Sequence, residues 1–235
     1  PILDKSTSLH FYFYSIGPGA LGLSTYNFPL NENELIILKR FRNVFELAYR
    51  RFIDIELAIA QAKEAKIEAA LEKVRAVAMS MNKPDDLLNV CEILFTEFHK
   101  LGFDEMRNAM INIHNDEKET FINYDYSDEI GRSINHLTYN IHPVIEKQIK
   151  QIRSTNDAFS ETSFTSKDLE EWKKFRNKIG EQDDPRINNL SNLYYYFYSI
   201  GTGSIGISTF STIGEEKLVL LKRFRNVFSL SYQRY

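Results

Sequence analysis

Cysteine is nearly absent from this chain, and its scarcity excludes two kinds of architecture. The single cysteine is Cys91, so neither an internal disulfide framework nor a metal site held by cysteine pairs can form. The same scarcity fits a reducing, cytoplasmic compartment. Cys91 lies in an apolar-periodic run, where cysteine is typically a small buried side chain rather than a reactive thiol.

A strong excess of one charge and a long apolar run are also missing. The formal net charge is only -3, so no overall positive field favours nucleic acid. No run is long and apolar enough to predict a membrane-spanning helix. We therefore expect neither a nucleic-acid partner nor a membrane span.

Glycine and proline are absent from residues 35–82, and this predicts one long helix. The stretch is rich in Ala, Glu, Lys, Arg and Leu, which lose little entropy in a helix. At roughly 1.5 Å per residue it would form a rod about 70 Å long. Asn31 or Asn33 can cap its start, and Pro84 ends it.

A helix of this length needs a partner for its apolar side chains. These recur at intervals of three and four residues, the spacing of a coiled-coil seam, with a slip after Ala62. The predicted seam residues are Phe45, Ala48, Phe52, Ile55, Ile59, Ile67, Ala70, Val74 and Val77. A helix packed on its own domain is the alternative. The length favours a two-chain connector, so we expect a homodimer.

An internal repeat is the most informative feature of the chain. The sequence YFYSIGxG occurs at 12–19 and again at 196–203, and LKRFRNVF occurs at 38–45 and again at 221–228. Both copies predict an aromatic strand, a glycine turn, a second strand, a short loop and a helix.

The repeat predicts an α+β chain in three parts. We expect strands of a truncated first module at 1–33, the connecting helix at 34–82 and a complete module at 83–235. We therefore expect the chain to be a piece of a longer protein. The elements predicted within the complete module are helices at 84–101, 143–152, 165–175 and from 215, strands at 107–114, 120–126, 136–142, 193–200 and 204–210, and a polar loop at 182–192.

This order of elements, with the sequence IGIS at 205–208 followed by a helix at 216–232, resembles the GAF domain of bacterial signalling proteins. The resemblance covers 82–235 as one module and 1–52 as the end of another. It implies an antiparallel sheet with helices on one face and a small-molecule pocket on the other, under the segment 130–180. It also implies tandem modules joined by signalling helices, with a kinase or cyclase output outside this sequence.

Two known ligand types of the GAF family do not match. The cyclic-nucleotide signature reads NKxFDE, and the nearest sequence here, at 177–181, lacks its Phe and Asp. Members that bind bilins hold the pigment on a cysteine, whereas Cys91 lies on the predicted first helix of the module. No cofactor is therefore predicted, and the ligand class stays open.

Patterns for catalysis and metal binding are weak. The glycine-rich sequence at 17–22 matches a dinucleotide fingerprint as a string, but it lies between two strands rather than before a helix. His114, His136 and His142 could lie on neighbouring strands, yet they lack metal-ligand spacing. Because no set of nucleophile, base and orienting residue is found, we expect no enzyme.

The aromatic run at 194–198 suggests where a ligand would bind. The predicted pocket residues are Asn112, His114, Tyr139, Trp172, Tyr196, Tyr198 and Ser208. The competing interpretation is a sheet face covered by core packing, with tyrosine hydroxyls reaching solvent. We expect a regulatory sensor that relays ligand binding or a conformational input through a dimeric helix. The alternative is a structural dimerisation spacer that binds no ligand.

Overall fold

The structure, a computed structural model, describes residues 8–178, 184–188 and 190–232. It confirms an α+β fold, with a small two-stranded sheet and an antiparallel six-stranded sheet. The chain divides into two compact units, Pro1–Ala65 (unit 1) and Lys66–Tyr235 (unit 2). The predicted loop at 182–192 and the nucleotide-like sequence at 177–181 lie partly outside the described residues.

Unit 1 contains the first copy of the repeat. Strand β1 (Leu9–Ser15) pairs antiparallel with β2 (Ala20–Tyr26). The turn between them holds Gly17 at a φ of 91°, a conformation that favours glycine because it has no Cβ. The hydroxyl of Tyr12 accepts a hydrogen bond from the Leu30 N–H at 2.7 Å, which ties the hairpin to the loop before the first helix.

The predicted long helix is confirmed as α1 (Glu32–Met79), which contains 48 residues. It begins with a reciprocal capping box at Asn31. The Glu34 N–H donates to Asn31 Oδ1 at 3.0 Å, and the Asn31 N–H donates to Glu34 Oε2 at 2.8 Å. Asn31, and not Asn33, is therefore the cap. The helix begins in unit 1 and ends in unit 2.

Unit 2 is built on the six-stranded sheet, whose strand order is β5-β4-β3-β8-β7-β6. The second copy of the repeat supplies two strands and a helix of this unit. The elements are α2 (Leu87–Lys100), β3 (Met106–Asn115), β4 (Thr120–Ser127), β5 (Gly131–Thr138), α3 (Pro143–Ile152), β6 (Phe159–Thr165), α4 (Ser166–Lys178), β7 (Asn192–Ser199), β8 (Gly203–Thr209) and α5 (Glu215–Tyr232).

Helices α2 and α5 pack with one face of this sheet in the larger hydrophobic core. Phe98 of α2 and Phe224 of α5 meet with ring centroids 4.5 Å apart, and both are buried. The last part of α1 joins the same core through buried residues that include Leu71 and Ala78. An ion pair between Lys73 and Glu97, at 3.1 Å, adds a polar contact between α1 and α2.

The second half of the predicted seam needs correction. Ile67, Ala70 and Val74 are buried in this core, and Val77 packs against it. Their apolar surface is therefore used within the chain and is not free to contact a second helix. The alternative interpretation, a helix packed on its own domain, holds for this part of α1. The first half of the seam, in unit 1, is exposed at Phe45, Ala48, Phe52, Ile55 and Ile59.

The other face of the sheet is covered by α3 and α4. A second hydrophobic cluster lies there and contains Ile145 and Ile149 from α3, Leu169 from α4, and Tyr195 and Phe197 from β7. The side chain of His142 caps α3, because its Nδ1 accepts a hydrogen bond from the Val144 N–H at 3.2 Å.

Two strands differ from the sequence prediction. The weak strand expected at 136–142 is β5, which is observed at Gly131–Thr138. It begins and ends earlier because its pairing with β4 starts with Gly131 opposite Ser127. Strand β6 was not predicted. It alternates Ser160, Thr162 and Phe164 on its buried side, and hydroxyl side chains in these positions weaken the alternating apolar pattern that marks a strand.

Candidate functional site

A small cavity lies between the sheet of unit 2 and the covering helices α3 and α4. Its volume is about 50 Å³, which is room for a few water molecules. Its apolar lining is Met110, Phe121, Leu137, Ile145, Ile149, Trp172, Tyr195 and Phe197, and its polar lining is Arg107, Asn108, Asn112, Asn123, Asp125, Asn135 and Gln148.

A row of polar side chains crosses four neighbouring strands under this cavity. The strand register places Ser204 opposite Asn112, Asn112 opposite Asn123, and Asn123 opposite Asn135. Asn123 Nδ2 donates to Asn112 Oδ1 at 2.9 Å, and Asn112 Nδ2 donates to Ser204 Oγ at 3.3 Å. A carboxamide has two N–H donors and two acceptor lone pairs. The two bonds of the row use one N–H and one acceptor site of the Asn112 carboxamide, which is half of its hydrogen-bonding capacity.

A second polar group lies beside this row. Asn108 Nδ2 donates to Asp125 Oδ2 at 2.7 Å. The hydroxyl of Ser208 donates to Asn108 Oδ1. These two bonds orient the Asn108 carboxamide, with its oxygen toward β8 and its nitrogen toward β4. Ser208, a predicted pocket residue, therefore positions a lining residue.

The charged lining residue Arg107 belongs to a chain of ion pairs at one end of the cavity. Arg107 Nε donates to Asp184 Oδ2 at 2.9 Å, and both side chains are buried. Arg186 donates to Asp184 at 3.0 Å and to Asp128 at 2.6 Å. Burial raises the pKa of Asp184, but the hydrogen bond from Arg186 and the charge of Arg107 outweigh burial, and the pKa lies below its ordinary value. The carboxylate is thus held ionised between two guanidinium groups.

His114 and Tyr139 come together at the end of the sheet, outside the cavity lining. Their rings meet edge to face with centroids 5.7 Å apart. Tyr139 donates its hydroxyl hydrogen to Asp116 at 2.7 Å, and Arg153 donates to the same carboxylate at 3.1 Å. Burial, with a smaller contribution from the nearby Arg153 charge, lowers the pKa of His114 to about 4. Burial and the hydrogen bond to Asp116 raise the pKa of Tyr139.

The structure thus brings only part of the predicted pocket together. Asn112 and Trp172 line the cavity, and Ser208 lies directly behind the lining. Tyr196 and Tyr198 do not line it, because they belong to the core on the opposite face of the sheet. Burial raises the pKa of both tyrosines.

The error at Tyr196 and Tyr198 has a simple physical cause. Residues directly opposite each other in an antiparallel pair project from the same face. The register of the β7–β8 hairpin pairs Ser208 with Tyr195, and it pairs Tyr196 with Ile207. Ser208 and Tyr196 therefore cannot share a face. The Tyr196 hydroxyl instead accepts a hydrogen bond from the Ile213 N–H at 3.3 Å.

The sequence prediction missed most of the polar lining. Asn108, Asn123, Asp125 and Asn135 are on strands β3 to β5, at alternate positions that share one face. The available signal was a polar residue at every second position of strands whose other face is apolar. On a surface sheet the same pattern marks a solvated face, so only the covering helices show that this face is enclosed.

The described part of unit 2 contains no cluster of metal-binding side chains. No cluster of three or more His, Cys, Asp and Glu side chains occurs among the residues that the structure describes. Cys91 is buried, and burial, followed by the nearby Asp125 charge, raises the pKa of its thiol. The thiol is therefore protonated and poorly nucleophilic at neutral pH.

None of the helices within the described ranges is long and apolar enough to cross a membrane. No protein-family model matches the sequence, and no curated protein matches it. The geometry of the cavity is therefore the basis for a functional proposal.

Proposed function

We propose that unit 2 is a regulatory sensor module of the GAF type, which binds a small polar molecule between its sheet and the helices α3 and α4. The observation that carries the proposal is the row of Asn112, Asn123 and Asn135 on a covered sheet face. Asn112 is buried, and Asn123 and Asn135 are half-buried. Core packing alone favours apolar side chains on a covered face, because removing a carboxamide from water is costly.

The arrangement of layers supports the GAF resemblance. Helices α2 and α5 pack on one face of an antiparallel sheet, and the cavity lies on the other. The segment that covers the cavity includes α3 and α4, within the 130–180 region for which the resemblance implies a covering role.

The lining indicates the chemistry of the ligand. Both charged lining residues already have protein partners, Asp184 for Arg107 and Asn108 for Asp125. A charged ligand would have to break these contacts or be buried without a counter-ion, which is strongly unfavourable. We therefore infer a small uncharged ligand with hydrogen-bond donors and acceptors, such as an amide, a lactam or a polyol.

The two central strands, β3 and β8, would transmit the effect of ligand binding to the helices. Asn112 faces the cavity, and its neighbour Ile111 is buried in the core that contains α2 and α5. In the same way Ser204 belongs to the polar row while Ile205 belongs to that core. A ligand that favours one position of these strands would shift the packing of α5 and of the last turns of α1, which is a population shift.

Trp172 provides the assay, because it is the single tryptophan and lines the cavity. The protein is titrated with amides, lactams and polyols, and a compound that binds in the cavity should change the fluorescence of Trp172. Asn123→Leu should weaken that compound at least about tenfold, since a ligand group would lose its partner. Asn140→Leu makes the same chemical change at an exposed turn and should leave binding unchanged.

A negative titration together with a stabilised variant would contradict ligand binding. If no compound alters the fluorescence or the Tm, and Asn123→Leu raises the Tm, the polar row is only an element of core packing. The proposal of a ligand-binding sensor would then be wrong.

A structural dimerisation module is the second candidate, and one observation favours it. Phe52, Ile55 and Ile59 of α1 are 56%, 48% and 60% exposed, and together they present an apolar stripe. Cross-linking through Ile59→Cys would detect a paired helix, with little background because Cys91 is buried. A chain that stays monomeric and does not cross-link would contradict this candidate.

A further inference from the structure

Unit 1 repeats the β7–β8–α5 part of unit 2 at the level of single contacts. In unit 1, Arg42 Nε donates to the Ser15 carbonyl at 2.7 Å. In unit 2, the equivalent Arg225 Nε donates to the Ser199 carbonyl at 2.6 Å. Each tyrosine at the equivalent strand position accepts a hydrogen bond from the loop before the helix. The two copies are therefore the same substructure, and the second can serve as a template for the first.

The two copies differ sharply in exposure. On the helix, Phe41 is 68% exposed, whereas its equivalent Phe224 is 0% exposed. On the hairpin, Phe13 is 68% exposed, whereas its equivalent Phe197 is 2% exposed. The apolar side chains are thus retained in unit 1, while the elements that cover them in unit 2 have no counterpart among its described residues, 8–65.

The exposure is not a general property of the first copy. Leu47 of α1 is 72% exposed, and its equivalent Leu230 is 68% exposed in the complete module. Leu230 is therefore left uncovered by the elements that bury Phe224 in unit 2, and exposure of Leu47 needs no missing element to explain it. The exposure is therefore specific to certain positions. We call the set Phe13, Leu23, Phe41 and Phe45, which includes residues on both sides of the hairpin sheet, the open face.

The template shows what covers such a surface. Phe224 packs against Phe98 of α2. Strand β3 pairs along the outer edge of β8. Helix α3 packs with Phe197 in the cluster on the other side of the sheet. All of these covering elements belong to the segment 84–178.

We propose that the open face docks a polypeptide segment built like 84–178 of this chain: an amphipathic helix, then antiparallel strands, then covering helices. The segment comes from outside the complete module, because residues 84–178 of unit 2 are already packed against β7, β8 and α5. The occupant would restore in unit 1 the sheet and both of the covered faces that unit 2 has.

A second copy of unit 1 would not provide the same cover. Side chains on both sides of the hairpin sheet are exposed, with Phe13 on one side and Leu23 on the other. Pairing two β2 edges would extend the sheet, but it would add no helix over the Phe13 side. The template therefore favours a helix-and-strand segment over self-pairing.

Thiol labelling tests this proposal directly, because the native Cys91 is buried. The probe is a fusion protein with three parts in order: a second copy of residues 84–178, a flexible Gly/Ser linker, and residues 8–235. The reporter is Ser24→Cys, a nearly isosteric change at an exposed position whose equivalent, Ser208, is fully buried. The matched control is Leu47→Cys, which is exposed in both copies.

We expect the fusion to slow labelling of Ser24→Cys by about tenfold or more, since reaction would require local opening, and to leave Leu47→Cys unchanged. Equal labelling of Ser24→Cys with and without the fused segment would overturn the proposal. Protection in the unfused chain that grows with protein concentration would also overturn it, because a second copy would then be the occupant.

A second measurement does not depend on the fusion. A tagged 84–178 polypeptide, co-expressed with the full chain, should co-purify with it. Phe41→Asp should abolish the association, and Leu47→Asp should retain it. Association that is insensitive to Phe41→Asp would mean that the segment exchanges into unit 2, which would contradict docking on the open face.

Discussion

Acid should destabilise unit 2 through His114 before most carboxylates titrate. The pKa of His114 is about 4 in the folded protein, compared with an ordinary value of 6.5. The folded state therefore favours the neutral ring, and the unfolded state binds the extra proton between these two values. The stability contributed by the neutral ring is fully present above pH 6.5 and is lost as the pH falls toward 4.

The magnitude follows from the size of the shift. Each pKa unit corresponds to about 1.4 kcal/mol, so a shift from 6.5 to about 4 gives at most about 3.5 kcal/mol. Because the ring is only half-buried, we expect a loss of roughly 2 kcal/mol between pH 7 and pH 4.

His114→Phe should remove this pH dependence. Phenylalanine keeps the ring contacts with Phe121 and Tyr139. Among the described residues, Nδ1 of His114 has no hydrogen-bond partner to lose. Urea unfolding followed by Trp172 fluorescence at pH 7, 6, 5 and 4 measures the free energy of unfolding. His136→Gln, a change at an exposed histidine, is the matched control.

The same urea series can refute this reasoning. If wild type and His114→Phe lose equal free energy between pH 7 and pH 4, the acid sensitivity belongs to other groups. A large loss of stability in His114→Phe already at pH 7 would show that the imidazole makes a contact that phenylalanine cannot replace.

Two further predictions concern buried sites in unit 2. Arg107→Met should lower the free energy of unfolding by about 3 kcal/mol, because the buried Asp184 loses a charge partner. The double variant with Asp184→Leu should be less destabilised in urea unfolding, and equal losses would contradict the pairing. Gly206→Ala should destabilise by about 3 kcal/mol or more, because its Cβ would lie 2.2 Å from the Tyr196 carbonyl oxygen. The equivalent Gly22→Ala should be tolerated in thermal unfolding, since its Cβ meets an exposed phenyl ring that can rotate away.

Local patterns in the sequence were sufficient for the main elements. The absence of glycine and proline over 35–82 predicted α1, because helix propensity depends on each residue and its near neighbours. The repeat predicted two hairpin-and-helix units, and the hydrogen bonds of Arg42 and Arg225 show that both copies adopt the same local geometry. Contacts within such a short segment need no information from the rest of the fold.

The slip in the apolar spacing after Ala62 was a real signal, but its meaning depended on the tertiary structure. It lies close to the point where α1 passes from unit 1 into unit 2, between Ala65 and Lys66. Ile67 is the first residue beyond the slip that is buried in the core of unit 2. Periodicity alone cannot distinguish an apolar stripe that faces a second chain from one that faces its own domain.

The sequence by itself therefore determined the type and order of most elements, while the composition of the site was decided by tertiary structure. Asn112 and Trp172 line the cavity, whereas Tyr196 lies on the opposite face of the sheet, because the hairpin register decides which side chains meet. The carboxamide row depends on the alignment of strands that are distant in sequence. Whether such a polar face is enclosed or solvated depends on where α3 and α4 pack, and no local pattern in the strands carries that information.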